Sequence, residues 1–216
     1  MYKKRILVSI PNTGWIHKIV AMRVMALLQD NRYMVNVIMP TWNPIENNLH
    51  KIIVDFIKED FNYWLNIDSD NPPTKNPLDL VDLDLDIITC PTPVYHFNKR
   101  THRKGESPVY LNAYKYLPDK DAYTEWPHKY GLQKVDAVGN GCTLYAKRVF
   151  LNKEMQKGAF TRKLHPDGTV NKGNDISMSE RARAQGFSIY AHYDYICQHF
   201  NEVELGEFVT AIKGWN

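Results

Sequence analysis

No apolar stretch in this 216-residue chain approaches the ~18 residues that a membrane-spanning helix requires. The longest candidate, Ile16 to Leu28, is broken by His17, Lys18 and Arg23. No signal-peptide pattern opens the chain, because Lys3, Lys4 and Arg5 run straight into a β-branched segment. Charge of one sign is nearly absent as an excess: 27 basic against 24 acidic residues leave a formal +3, too little to argue for nucleic acid. Basic clusters at Lys3 to Arg5, at Lys99 and Arg100, and at His102 to Lys104 read as solvated loops or faces. Cysteine is sparse and odd in number. Cys90, Cys142 and Cys197 suit reduced thiols in a cytoplasmic setting better than a disulfide framework. There is no internal repeat and no low-complexity linker. What remains, 44% hydrophobic and 24% charged, is an ordinary globular composition long enough for one domain.

The first ninety residues alternate strand and helix signals. Arg5 to Ile10, Tyr33 to Met39, Tyr63 to Ile67 and Asp86 to Thr89 read as buried strands. Between them, a helix capped by Asn12 or Thr13 carries Ile16, Ile19, Val20, Val24, Leu27 and Leu28 inward. A second places Ile45, Leu49, Ile52, Ile53, Phe56 and Ile57 on one face. Crossovers of this length predict a mainly parallel sheet flanked by helices. From Pro91 to Tyr130 the pattern dissolves into long, Tyr-rich loops with a hairpin around Val109 to Tyr116. Val135 to Val138, Thr143 to Ala146 and Ser188 to Ala191 read as further strands, and Lys157 to Lys172 as a flexible loop. Asp175 to Gln185 is a helix, with Asn174 as N-cap and Gly186 just past its end. The division is thus a nucleotide-binding half over about 1–90 and a loop-rich half over about 91–216, within one α/β domain.

The densest chemistry lies at Tyr-Trp-Leu-Asn-Ile-Asp-Ser-Asp, residues 63–70. A buried strand that ends in Asp68 and Asp70 sets two hard oxygen ligands at the mouth of an open α/β sheet, where such folds bind ligands. Two carboxylates there can hold a divalent cation against a diphosphate. A plain strand-ending turn explains the same residues about equally well taken alone. Asp82, Asp84 and Asp86 precede a strand and read as a solvated approach. Gly139-Asn140-Gly141-Cys142 allows close backbone approach to a ligand, but lacks the third glycine of a dinucleotide fingerprint. Asp175 heads a helix, where the dipole favours a carboxylate and where a base facing a cleft can take a proton. His199 or His192 offers an imidazole near the last strand.

Taken in order, these segments resemble the GT-A glycosyltransferases, in particular small family-2-like members of bacterial and viral type. The likeness rests on Ile67-Asp68-Ser69-Asp70, the Gly-X-Gly-Cys segment, and Asp175 heading Ser-Glu-Arg-Ala-Arg-Ala-Gln-Gly-Phe with a later histidine. It spans roughly Ile6 to Pro73 and Val135 to Phe200. The resemblance implies a GT-A-type, Rossmann-like domain in which Pro11, Asn12 and Thr13 line the nucleotide pocket with Asp68 and Ser69. It further implies that Asp70, with Asp68 and His199, ligates Mn²⁺ or Mg²⁺ on a nucleotide-sugar diphosphate. Gly141 and Cys142 would floor the donor sugar, and Asp175 would be the catalytic base. Asn174 stands where the family usually has the first acid of a pair. The implied donor is a UDP-sugar, the acceptor a glycan, lipid or protein. Two other readings stay open: a sugar-nucleotide nucleotidyltransferase, against which the glycine-poor loop after the first strand speaks, and an inactive nucleotide- or carbohydrate-binding module.

Overall fold

The computed structural model describes residues 3–95 and 109–200. Phe97 and the basic clusters at Lys99, Arg100 and His102 to Lys104 lie outside the described residues. Four early strands form where apolar alternation places them: β1 (Arg5–Ser9), β2 (Met34–Ile38), β3 (Tyr63–Ile67) and β4 (Ile87–Thr89). They join three later strands in a seven-stranded sheet of order β2, β1, β3, Cys142–Ala146, β4, Ile189–His192, Leu132–Lys134. β1 pairs parallel with β2 and β3, and Ile189–His192 parallel with β4. Cys142–Ala146 runs antiparallel between β3 and β4, and Leu132–Lys134 antiparallel at one edge. Five of the seven strands therefore share a direction, as expected, and two reverse it.

Burial explains why the central strands are apolar throughout. All five residues of β3 are buried because both sheet faces are covered. Helix α1 (Lys18–Leu28) packs Val20, Val24 and Leu27 with Ile6, Val8, Leu65 and Leu144. Helix α2 (Ile45–Lys58) packs Leu49, Ile52, Ile53 and Phe56 with Leu7, Trp64 and Tyr145 on the other face. The period-2 alternation of β1 thus feeds two cores. Trp64 anchors the second: its ring lies 4.9 Å from Tyr145, 5.4 Å from Phe150 and 6.0 Å from Phe160. No helix among the described residues is long and apolar enough to cross a membrane.

Several local expectations need correction. Helix α1 begins later than Asn12 or Thr13: His17 is its N-cap, accepting from the Ile19 N–H. Asn12 instead folds on itself, with Oδ1 accepting from Gly14 N (2.9 Å). Leu28, expected inward, is 53% exposed, because Leu27 already occupies the inward position of that turn. Val109–Leu111 and Ala113–Leu117 do not pair with each other. The first pairs with Pro93–Tyr95 and the second with Ala122–Glu125. Val135 to Val138 contributes only Ala137–Val138, beside Ala113–Leu117. The 157–172 stretch holds a short hairpin, Lys163–Leu164 with Val170–Lys172. Lys172 ties it down by pairing with Asp121 (2.6 Å) and Glu180 (2.7 Å). Asp82 and Asp84 are exposed and Asp86 half-buried, as a solvated approach requires, and all three also anchor neighbours: they accept from Tyr33 Oη, Tyr63 Oη and the Arg148 guanidinium.

Removing the central indole tests this packing. Trp64→Ala is expected to lower stability by about 3–5 kcal/mol, the usual range for a large aromatic in a sealed core. The denaturant midpoint of unfolding measures it, and a loss below about 1 kcal/mol would contradict the burial described.

Candidate active site

β1, β3 and β4 end, and Cys142–Ala146 begins, at one edge of the sheet, since Cys142 lies opposite Ile67 and Thr143 opposite Thr89. Asp68 leaves β3 there, its N–H donating to Gly141 O (2.8 Å). The one polar residue inside the strand, Asn66, is fully buried. Its Nδ2 donates to Asp68 Oδ1 (3.1 Å) and to Asn140 O (2.8 Å). Its Oδ1 accepts from Ser9 Oγ (2.9 Å), which in turn accepts from Trp64 Nε1 (2.7 Å). A hydrogen-bonded chain therefore runs from the core indole to a carboxylate at the sheet mouth.

Asn140 works from the other side. Its backbone N–H favours the charged form of the Asp175 carboxylate, and its Oδ1 accepts from Tyr145 Oη (2.7 Å). Asp175 opens the helix Asn174–Ala184, and Asn174 Oδ1 accepts the Asp175 N–H (3.0 Å). The helix begins one residue earlier than expected, with Gly173 in the capping position. Burial pushes the Asp175 carboxyl up to about 6, against the N–H of Asn140 and the nearby Arg162 cation. Burial, then the charges of Asp175 and Asp70, push Asp68 up to about 8. Carboxylates crowded this way hold their charge at a cost that a bound cation would relieve. Arg162 is ion-paired with Glu46 at the start of α2, which carries that cation across to Asp175. Gly141 must lack a side chain: a Cβ there would come within 2.7 Å of Thr92 Oγ1 and 3.1 Å of Asn71 Oδ1.

Asp70 and His199 meet, as the sequence reading required. His199 Nε2 lies 3.5 Å from Asp70 Oδ2. The segment 196–200 runs back along 70–74, with Thr74 N donating to Ile196 O (3.2 Å), Gln198 N to Pro72 O (3.0 Å) and Phe200 N to Asp70 O (3.0 Å). His199 Nδ1 lies 2.7 Å from Pro93 O. A carbonyl can only accept, so Nδ1 carries a proton, and Nε2 is the ring nitrogen that faces Asp70. Asp70 beside it raises the imidazole above its ordinary range, although burial opposes this. Phe200 stacks on His17 at 3.8 Å, and the His17 N–H donates to Ser69 O (2.8 Å).

The remaining residues fall less tightly. Pro11 is buried, Asn12 half-buried and Thr13 exposed, on the turn leaving β1. Cys142 is fully buried and clusters with Cys90 and Cys197, so only its backbone reaches the sheet edge. His192 sits beside Asp194 (4.0 Å) and Tyr195 and takes no part in the acidic group. Sequence reasoning missed Asn66, Asn140, Glu46 and Arg162. For Asn66 a signal existed: an amide inside an apolar strand must find partners or cost stability. Asn66→Ala strands Asn140 O and Ser9 Oγ and is expected to cost about 1–3 kcal/mol, read as a lowered unfolding midpoint.

Among the described residues, no group of three or more His, Cys, Asp and Glu side chains is gathered closely enough to hold a metal ion; Asp70 and His199 form a pair. No family model matches the sequence, and no curated protein does. Solved structures do match. A197 from STIV overlays with a TM-score of 0.60 at 14% identity, covering 92% of this chain and 86% of that one. GalNAc-T7, solved with UDP, GalNAc and Mn²⁺, overlays with a TM-score of 0.53 at 9% identity. That match covers 94% of this chain but only 44% of the larger protein. At such identities the likeness is one of architecture, and it agrees with the sequence pattern: the chain has a GT-A-like glycosyltransferase fold.

Proposed function

We propose that the chain is a metal-dependent glycosyltransferase that takes a sugar from a nucleotide-sugar donor, a UDP-sugar by default, and passes it to an acceptor hydroxyl. The observation that carries this reading is the meeting of Asp70 with His199 at the same sheet edge as Asp68 and Asp175. The GT-A-like fold supports it, and so does the UDP and Mn²⁺ found with GalNAc-T7. The chemistry of the pair suits a divalent ion: Asp70 offers a carboxylate, and His199 an imidazole whose far nitrogen is already engaged by Pro93 O, as Mn²⁺ or Mg²⁺ accepts. Asp70 and His199 would hold that ion, and Asp68 would have to move toward them to join as a third ligand. When bound, it supplies positive charge to the departing diphosphate without a proton donor.

The chain's own residues account for the rest. The turn from Pro11 to Thr13 and the Ser69 backbone border the place where the nucleotide would lie, and Gly141, packed against Thr92 and Asn71, would form its floor. Asp175, steadied by the Asn140 N–H, would accept the acceptor hydroxyl's proton as the new bond forms. Its position at the first turn of a helix keeps the carboxylate oriented while the dipole favours its charge.

Asp70→Ala is expected to weaken Mn²⁺-dependent UDP binding by more than about 100-fold in calorimetry, with an unchanged far-UV spectrum. Unchanged binding would end the metal assignment. The Asp175 proton supplies a second test. A base titrating at about 6 is protonated below that pH, so kcat/KM should fall as pH drops through this value. Asp175→Asn should abolish that limb and reduce turnover about 10²–10⁴-fold while leaving UDP binding intact. Release of pyrophosphate from a nucleoside triphosphate and a sugar phosphate, in place of UDP from a UDP-sugar, would make the chain a nucleotidyltransferase instead.

A further inference from the structure

The two long helices on the β1–β3 half of the sheet differ on their solvent sides. The exposed positions of α2 are Asn47, His50, Lys51, Asp55 and Lys58, all polar. Those of α1 are Lys18, Met22, Arg23, Met25, Ala26 and Leu28. Met22 is 61%, Met25 57% and Leu28 53% exposed, and Trp15, in the turn before the helix, 55%. The inward residues Val20, Val24 and Leu27 already satisfy the core, so this second apolar row is not needed for packing. Spaced three apart, Met22, Met25 and Leu28 form one continuous row along the helix. On the helix itself the charge has a single sign. No carboxylate occurs from Pro11 to Gln29, while Lys18 and Arg23 stand among the exposed positions. Beyond its C-terminal end, Asp30 and Asp79 share the Arg32 guanidinium (2.6 Å to each).

We propose that the outer face of α1 docks on an anionic lipid bilayer, with Met22, Met25 and Leu28 entering the headgroup boundary and Lys18 and Arg23 meeting lipid phosphates. An apolar row whose own helix carries only cations is what such a surface recognises. A second copy packed helix to helix would set Lys18 and Arg23 against their counterparts with no carboxylate on either α1 to meet them, which disfavours a symmetric dimer there. The contact is interfacial, because α1 has 11 residues and crosses nothing. The inference stands apart from the transferase reading, since no residue of the acidic group takes part.

Co-sedimentation of the full chain with phosphatidylcholine vesicles, with and without phosphatidylglycerol, tests it. The chain should sediment with the anionic vesicles, weakly or not at all with neutral ones, and less as salt rises. Arg23→Glu should lower affinity for anionic vesicles about tenfold. The pair Met22→Asp and Met25→Asp should abolish binding without shifting the melting temperature; Met22→Ser with Met25→Ser serves if the charged pair melts lower. Absence of binding to anionic vesicles, or equal binding by the double variants, would overturn the proposal. So would a dimer in sedimentation velocity that Met25→Asp disperses, which would assign the face to a second copy.

Discussion

Everything at the sheet mouth depends on one buried amide. Asn66 sits next to the end of a strand buried along its whole length, and the two ends of its amide bond in opposite directions. Toward the core it is held by Ser9 and Trp64; toward the edge it holds Asp68 and the Asn140 carbonyl. Because the Asn140 N–H also favours the charge on Asp175, both carboxylates feel groups placed by the same core side chain. The aromatic packing around Trp64 is therefore continuous with the positions of groups at the surface. An amide in such a place costs desolvation, and its full set of partners offsets that cost and fixes a single arrangement.

The electrostatics follow from this placement. Asp70 and Asp175 lie close enough to Asp68 for their charges to raise its proton affinity, while Arg162 is engaged with Glu46 and His199 is the imidazole beside Asp70. Most acidic residues elsewhere in the chain do ordinary structural work: Asp84 and Asp86 hold Arg148, and Glu180 holds Lys163 and Lys172. The contrast separates a carboxylate that answers to a neighbouring cation from one held near others of its own sign. Groups of the second kind gather where charge is to be met by a ligand.

How much of this was legible beforehand divides by range. The first four strands and α2 came directly from periodicity, because a two-sided buried sheet writes its strands as apolar runs and a half-buried helix repeats its apolar face. Asp68, Asp70 and Asp175 were found through their order along the chain, since a turn or a helix start explains each of them alone. His199 was found through order along the chain, and its partnership with Pro93 O could not have been, since that bond joins segments more than a hundred residues apart. The pairings of Val109–Leu111 and Ala113–Leu117 failed for the same reason. Local turn signals favoured a hairpin, while the actual partners are set by what each strand meets in space. Asn140 looked like turn filler between two glycines. Only the fold reveals that its carbonyl and its side-chain Oδ1 are both committed to buried partners.

The ladder between 70–74 and 196–200 has a consequence for how the protein comes into being. Asp70 emerges from the ribosome early, with the first strands and helices able to collapse around it, yet its imidazole neighbour arrives only after the whole sheet has been synthesised. Until that late segment zips back along the early one, the nascent chain can be compact and still incomplete at its most acidic point. Competence is thereby tied to the last stage of assembly, so a chain interrupted before Ile196 would keep most of the sheet and lose the partner that faces Asp70.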